Sequence, residues 1–538
     1  MKFVIEKNSF FASCFIAILL TGAAELLHAQ NSRPNILVII TDDQRFDTVK
    51  DVMPRTQARI FNEGVTFANA YVTTPVCTPS RVSIMTGMYA SRHGVRNNDS
   101  TFKLVSFVTR LREAGYYTGL VGKYLNSEDA TRKPGYDYWV GLPSEGLYYN
   151  PILNVNGVWK DHQGYLTYFL RDYAIDFLKK AAARNNQPFF LFFNPKTPHL
   201  PLEPAPNDTS LYKNLAAYRP PNFNEIDVSD KPAWLRSRPY LGRPWQDSVD
   251  TIRRRQLQML WSLDQSLDAI LEELKKQGKL DQTAIFYISD NGFFWGEHRL
   301  TGKGRIYEPS IRAAFALRYP PLATAGKVET RLTANIDIAP TIYQLAGLPI
   351  PKEVEGRSLL TLFQPQPAWR TELLIEGWPV RQAFSAVHTD RYVYVENEND
   401  RAELYDLVKD PYQLQNSADD PANAALVKDL KGRLQKLLTT VEDEKPNEAV
   451  PSSFALMQNH PNPVRSATTI RFVIKRPERV VLQVFDLNGR LVTTLLDRQI
   501  NSGEHALKLE TLPLPNGVYI YRLQAGASRQ QRKLVVLR

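Results

Sequence analysis

The amino-acid sequence predicts an α/β fold, with a mostly parallel sheet covered by helices on both faces. A small antiparallel subdomain and a terminal β-sandwich are expected to follow. Three observations carry this reading. Short β-branched or aromatic runs without polar alternation recur between residues 36 and 292, as expected of strands buried on both faces. Segments with a 3.6-residue apolar period lie between them. From residue 459 onward the pattern becomes one of alternating strands, which suits sheets with one face in water.

Residues 1–29 read as a secretory signal peptide. Lys2 and Lys7 precede the apolar run Phe10–Leu20, and small residues lead to a cleavage point near Ala29. That run is too short for a membrane span, and no later stretch is long enough, so the mature chain is expected to be exported without a transmembrane segment. Cys14 would leave with the signal, and the mature chain would keep Cys77 alone, unable to form an internal disulfide.

Ile36–Ile40 is expected to be a buried strand with Asp42-Asp43 just past its end. Residues 117–123, 188–194 and 283–292 offer further strands. A helix over 105–115 ends at a glycine, and the strongest helix spans 252–277, where Leu257, Leu260, Leu263, Leu267, Ile270, Leu271 and Leu274 form one stripe. In such sheets ligands gather beyond the carboxyl ends of strands, where Asp42-Asp43, Lys123 and Asp290-Asn291 fall. Residues 201–250, rich in Pro, Asn and Trp, read as long surface loops. The catalytic α/β domain is assigned to 30–370 and the antiparallel subdomain to 371–440. A linker at 441–458 and a β-sandwich at 459–538 complete the division, with Asn488-Gly489 as a hairpin turn.

The formal net charge is +10, but residues 459–538 hold 13 Lys/Arg against 5 Asp/Glu. The remainder is close to neutral, so the basic balance gives the main domain no polyanion footprint and leaves a nucleic-acid partner without support.

Asp42, Asp43, Asp290 and Asn291 are hard oxygen donors on two strand ends, a set suited to Ca²⁺ or Mg²⁺. Arg81, Lys123 and Lys303 are candidates for cationic contacts with an anionic ester. His199, between two prolines after a buried strand, is a candidate proton donor. His298 and Arg299 in GEHRL are weaker candidates. These residues point to metal-assisted transfer of a phosphoryl or sulfuryl group and do not choose between the two.

The stretch CTPSRVSIMTG at 77–87 resembles the signature of the type I, formylglycine-dependent sulfatases of the alkaline-phosphatase-like superfamily. NILVIITDDQ, GKYLN, KTPH, SDNGFFWGEH and ELYDLVKDP occur in that family's order, so the resemblance covers about residues 33–440. It implies that Cys77 is oxidised to formylglycine by a formylglycine-generating enzyme. It implies that Asp42, Asp43, Asp290, Asn291 and the modified Cys77 hold a divalent cation, usually Ca²⁺. Arg81, Lys123, His199 and Lys303 would serve as catalytic groups around the sulfate.

The implied chemistry is attack by the hydrated aldehyde on sulfur, departure of the alcohol with a proton from His199, and expulsion of sulfate as the aldehyde re-forms. GKYLN and VCTPSR are similar to the N-acetylglucosamine-6-sulfatase and heparan 6-O-endosulfatase branch, which implies sulfated glycan substrates. Leu125 stands where many members have histidine, with Asn126 next to it, and Arg299 stands where glycine is usual. The tail resembles the type IX secretion sorting domain, implying secretion machinery as a partner and release or attachment at the cell surface. Two other readings stay open: a phosphonate or phosphate monoester hydrolase on the same scaffold, and a catalytically silent glycan-binding surface protein.

Overall fold

The continuous apolar run beginning at Asn35 becomes a central strand of a ten-stranded sheet in the computed structural model. That structure describes residues 33–443 except 127, 144–145, 185–186, 366–367 and 380–381, and residues 454–536 except several loop positions. The expected signal peptide, Cys14 and most of the expected linker lie outside the described residues.

Asn35–Thr41 is flanked by Thr283–Ser289 on one side and Phe189–Asn194 on the other, both parallel to it. Tyr117–Gly122 continues the parallel set beside Phe189–Asn194, and Tyr138–Gly141 follows. Antiparallel pairings flank the parallel set on both sides: Phe315–Arg318 against Thr283–Ser289, and Ile152–Val155 against Tyr138–Gly141, with Val158–Asp161 completing a hairpin.

Every residue of Asn35–Thr41 is buried, because helices cover both faces. Ile36, Val38 and Ile40 enter one apolar cluster, while Leu37 and Ile39 enter the other. Each such side chain contributes roughly 1.5–3 kcal/mol by leaving water. The helix Arg243–Lys276 lays the predicted leucine stripe, Leu257 through Leu274, onto the second cluster. It starts nine residues earlier than the periodicity indicated. Pro244 is compatible with a first turn, and residues 242–245 are exposed, so no apolar stripe marks that end. The rest of 201–250 is mainly loop with two short helical turns, Pro206–Asp208 and Ala233–Arg236.

Glu372–Gly377, Phe384–Thr389, Tyr392–Asn397 and Glu403–Asp406 form a sequential antiparallel sheet within the expected antiparallel subdomain. The chain divides into two compact units at residue 437. The second unit contains a three-stranded and a four-stranded antiparallel sheet around one apolar cluster that includes Phe472, Leu482, Val484, Tyr521 and Leu523. Phe472, Tyr519 and Tyr521 pack in that cluster.

Candidate active site

The sheet register places the site. Thr41 pairs with Ser289, and the ladder continues as Asp290 N–H donates to the Thr41 carbonyl at 3.0 Å. Asp42 and Asp290 therefore leave neighbouring strand ends together. Gly122 pairs with Asn194, and Lys123 N–H donates to the Asn194 carbonyl at 2.8 Å. Gly122 has φ +119° and lies so close that an added Cβ would sit 2.0 Å from that carbonyl, so the crossing requires glycine. Asp42 N–H reaches back to the Thr197 carbonyl, drawing the His199 loop to the same edge.

Cys77 opens the helix Cys77–Thr86, all ten residues of which are buried. Its position at the first helical turn favours negative charge. Lys303 Nζ lies 2.7 Å from Cys77 Sγ, and Asp42 Oδ1 lies 3.4 Å from it. Lys303 also bonds Asp43, and Lys123 Nζ meets Asp42 Oδ2 at 2.6 Å. His199 Nε2 is 3.6 Å from Asp43 Oδ2, while its Nδ1 contacts the Leu200 carbonyl at 2.8 Å. Nδ1–H is thus the donor to that carbonyl, and Nε2 faces the carboxylates. Arg81 Nε binds Asp290 Oδ2 at 2.8 Å and Nη1 binds the Lys123 carbonyl.

Ligand atoms of Asp42, Asp43, Cys77 and His199 all lie within 4.8 Å of one another, a cluster able to hold a divalent cation. Asp290 and Asn291 join through Asp43: its backbone N–H donates to Asp290 Oδ1, and Asn291 Nδ2 donates to its Oδ1 at 2.7 Å. Asn291 Oδ1 is buried and has no hydrogen-bond partner. Converging carboxylates with an idle amide oxygen beside them fit a hard cation, and two ammonium groups now balance them.

Burial alone would raise Asp42, but Lys123, His199, Arg81 and Lys303 hold its carboxyl well below the usual range. Burial first, then the charge of Asp42, pushes Asp290 up to about 6. Burial pushes the Cys77 thiol far up despite Lys123 and Lys303, so as a cysteine it stays protonated at neutral pH. Burial would lower Lys303, but Asp43 and the other anions hold it well above its ordinary value.

All nine residues picked out for metal or catalysis are therefore brought to one place. The two weaker candidates sit elsewhere in role. His298 is buried against Glu225 at 2.6 Å and stacks on Tyr307, while Arg299 donates to the backbone carbonyls of Glu225, Arg238 and Ile226. Arg299 has φ +58°, a left-handed backbone that explains the glycine expected there. Leu125 is buried in the apolar core, so that position offers no polar group to the site. Asn126 instead pairs with Thr78, its amide oxygen 3.1 Å from the hydroxyl.

Sequence reasoning missed Asn98, whose Oδ1 accepts the Thr78 N–H at 3.0 Å beside Cys77. No motif surrounds it. It also missed Arg45, which binds Glu297 at 2.6 Å and the Phe293 carbonyl, tying the Asp42-Asp43 turn to the strand-end loop after Asn291. An arginine two residues after an acidic pair was the available signal.

The family model described as "Sulfatase" matches residues 34–348, and this chain belongs to that family. A model of the C-terminal part of N-sulphoglucosamine sulphohydrolase matches 296–440. A secretion-system C-terminal sorting domain matches 459–537, which marks the chain for export and a secreted or cell-surface location. An extracellular sulfatase SULF-1 homolog of Drosophila melanogaster is 34% identical over 65% of this chain and 33% of its own length. N-acetylglucosamine-6-sulfatase of Homo sapiens is 33% identical over 65% of this chain and 68% of its own. The chain thus spans only a third of the Drosophila relative. A solved structure described as a complex with its substrate D-glucosamine-2-N,6-O-disulfate is 26% identical, with TM-score 0.67, covering 78% of this chain and 100% of that one. No described helix is long and apolar enough to cross a membrane.

Proposed function

We propose that this chain hydrolyses sulfate esters of sulfated sugars, with N-acetylglucosamine 6-sulfate in heparan-type glycans as the leading substrate. Formylglycine made from Cys77 would act in place of the thiol, and Ca²⁺ would be the cation. The observation that carries the reading is the meeting of Cys77 Sγ, Lys303 Nζ at 2.7 Å and Asp42 Oδ1 at 3.4 Å beyond the strand ends. The N-acetylglucosamine-6-sulfatase relatives and the disulfated sugar of the solved complex support the substrate class.

The aldehyde hydrate would supply the nucleophilic hydroxyl, and a divalent cation held by Asp42, Asp43, Asp290 and Asn291 would favour its ionised form. The chain's own groups do the rest. Lys123 and Lys303 offset negative charge on the sulfate oxygens as it builds up. Arg81 stays fixed by Asp290, and its Nη2, 3.9 Å from Asp42 Oδ2, makes no hydrogen bond and can serve the nucleophile's oxygen. His199, with Nδ1–H held by the Leu200 carbonyl, gives a proton from Nε2 to the departing sugar oxygen.

The test is sulfate release from 6-sulfated N-acetylglucosamine and heparin oligosaccharides by protein coexpressed with a formylglycine-generating enzyme. A loss of about 18 Da in the peptide bearing residue 77 marks the conversion. Turnover of phosphate or phosphonate esters with none of any sulfate ester would overturn the reading.

A further inference from the structure

The loop that delivers Lys303 also carries a cation with no counter-ion. Arg305 is half-buried, its guanidinium carbon 3.9 Å from the centre of the Trp234 ring. Among the described residues its side chain makes no ion pair and donates no hydrogen bond. The indole N–H of Trp234 is buried and likewise has no acceptor. Three more deeply buried arginines are paired: Arg45 with Glu297, Arg81 with Asp290, Arg370 with Asp337. Glu403 acts on Arg305 only through space, because its carboxylate is taken by the hydroxyls of Tyr307 and Tyr405. Burial and then the charge of Arg238 lower Arg305 to about 10, which marks the spot as electropositive and short of an anion.

The chain places this cation beside the reaction centre. Lys303 touches Cys77, and Gly304 packs toward Val76, to which an added Cβ would come within 3.8 Å. Arg305 follows directly, and two residues of chain reach at most about 7 Å. That bound applies to the backbone, so Arg305 leaves the chain within about 7 Å of the Cα of Lys303, and its long side chain, stacked on Trp234, belongs to a neighbouring substituent of a glycan rather than to the reacting sulfate. Arginine's planar fork suits a sulfate or carboxylate, and an unpaired, partly desolvated one gains most from such a partner.

We propose that Arg305, with Arg238 adding charge beside it, receives a second anionic group on the sugar chain, so that the site selects doubly anionic substrates over singly sulfated ones. This rests on the sulfatase reading above and adds a specificity-determining residue to it.

Calorimetric binding to the full chain tests the proposal with three probes: N-acetylglucosamine 6-sulfate, a 6-sulfated disaccharide bearing a second sulfate, and one bearing a uronate carboxylate instead. Arg305→Ala is expected to weaken at least one doubly anionic probe about tenfold while leaving the singly sulfated sugar unchanged. Arg305→Lys should keep part of the difference, and Arg238→Ala should reduce it. Whichever probe responds identifies the anion received. Equal loss on all three probes, or loss on none, overturns the proposal. Sulfate release by the modified wild type is measured separately, so failure of the sulfatase reading shows there and not in the binding ratio. If Arg305→Ala does not fold, Arg305→Lys and Arg238→Ala decide by the same ratio.

Discussion

Two arginine–aspartate pairs of nearly equal length occupy very different surroundings. Arg81 meets Asp290 at 2.8 Å with the two side chains 2% and 0% exposed. Arg479 meets Asp497 at 2.7 Å on the C-terminal unit, with the side chains 72% and 38% exposed. Distance therefore does not rank them. Water and salt screen the second pair almost completely. The first has surrendered its hydration, which costs several kcal/mol per ion unless every partner is in place. The strand-end site is where this chain tolerates that cost, and the basic tail is where it keeps charges cheaply in solvent.

The largest expected effect is on the nucleophile position. Cys77→Ala should lower sulfate release at least about a thousandfold, roughly 4 kcal/mol on the barrier, without shifting the urea midpoint. Residual activity near wild type would show that the buried site is not the reactive one. Asp290→Ala strands the Arg81 guanidinium in the interior, and urea unfolding should read a loss of about 3 kcal/mol or more. A loss no larger than that of Arg479→Ala would dissolve the contrast between the two pairs.

His199→Gln should slow esters with poor leaving groups about a hundredfold and nitrophenyl sulfate much less, as measured by kcat on both. Equal slowing would remove the proton-donor role.

A smaller effect concerns His93, packed behind the nucleophile helix. Its Nδ1 accepts the Val95 N–H at 3.1 Å and its Nε2 contacts Ser83 Oγ at 3.0 Å, which fixes the neutral form with hydrogen on Nε2. Burial lowers its pKa to about 3. Below about pH 6.5 the unfolded chain takes up a proton that the folded chain refuses. Stability is therefore full above that pH and drains as pH falls toward 3, by about 2 kcal/mol at pH 5. Melting curves between pH 7 and 5 should flatten in His93→Gln. Smallest of all, Arg479→Ala should leave the melting temperature unchanged within error.

The sequence made the buried strands legible because helices cover both faces and no polar alternation interrupts Ile36–Ile40 or Phe189–Phe193. The site was legible because its donors stand at the ends of those strands: Asp42 and Asp43 after one, Lys123 after another, Asp290 and Asn291 after a third. What escaped did so for physical reasons. The first turns of Arg243–Lys276 touch little, so they carry no period. Asn98 and Arg45 act through contacts 20 and 252 residues apart, with Thr78 and Glu297, and a local pattern does not encode such partners. The consequence of Leu125 was hidden until its side chain was seen in the core with Asn126 turned to Thr78.

The complete burial of Cys77–Thr86 has a consequence for the proposed conversion of Cys77. A modifying enzyme would need the stretch Cys77–Arg81 within reach, and the finished fold withholds it. With native stabilities of about 5–15 kcal/mol, fewer than about one molecule in a thousand would reopen to present it. On that proposal, oxidation of the cysteine would have to precede closure of the domain around the helix, a chain that folded first would keep its thiol, and the race between the two would set the fraction of active molecules.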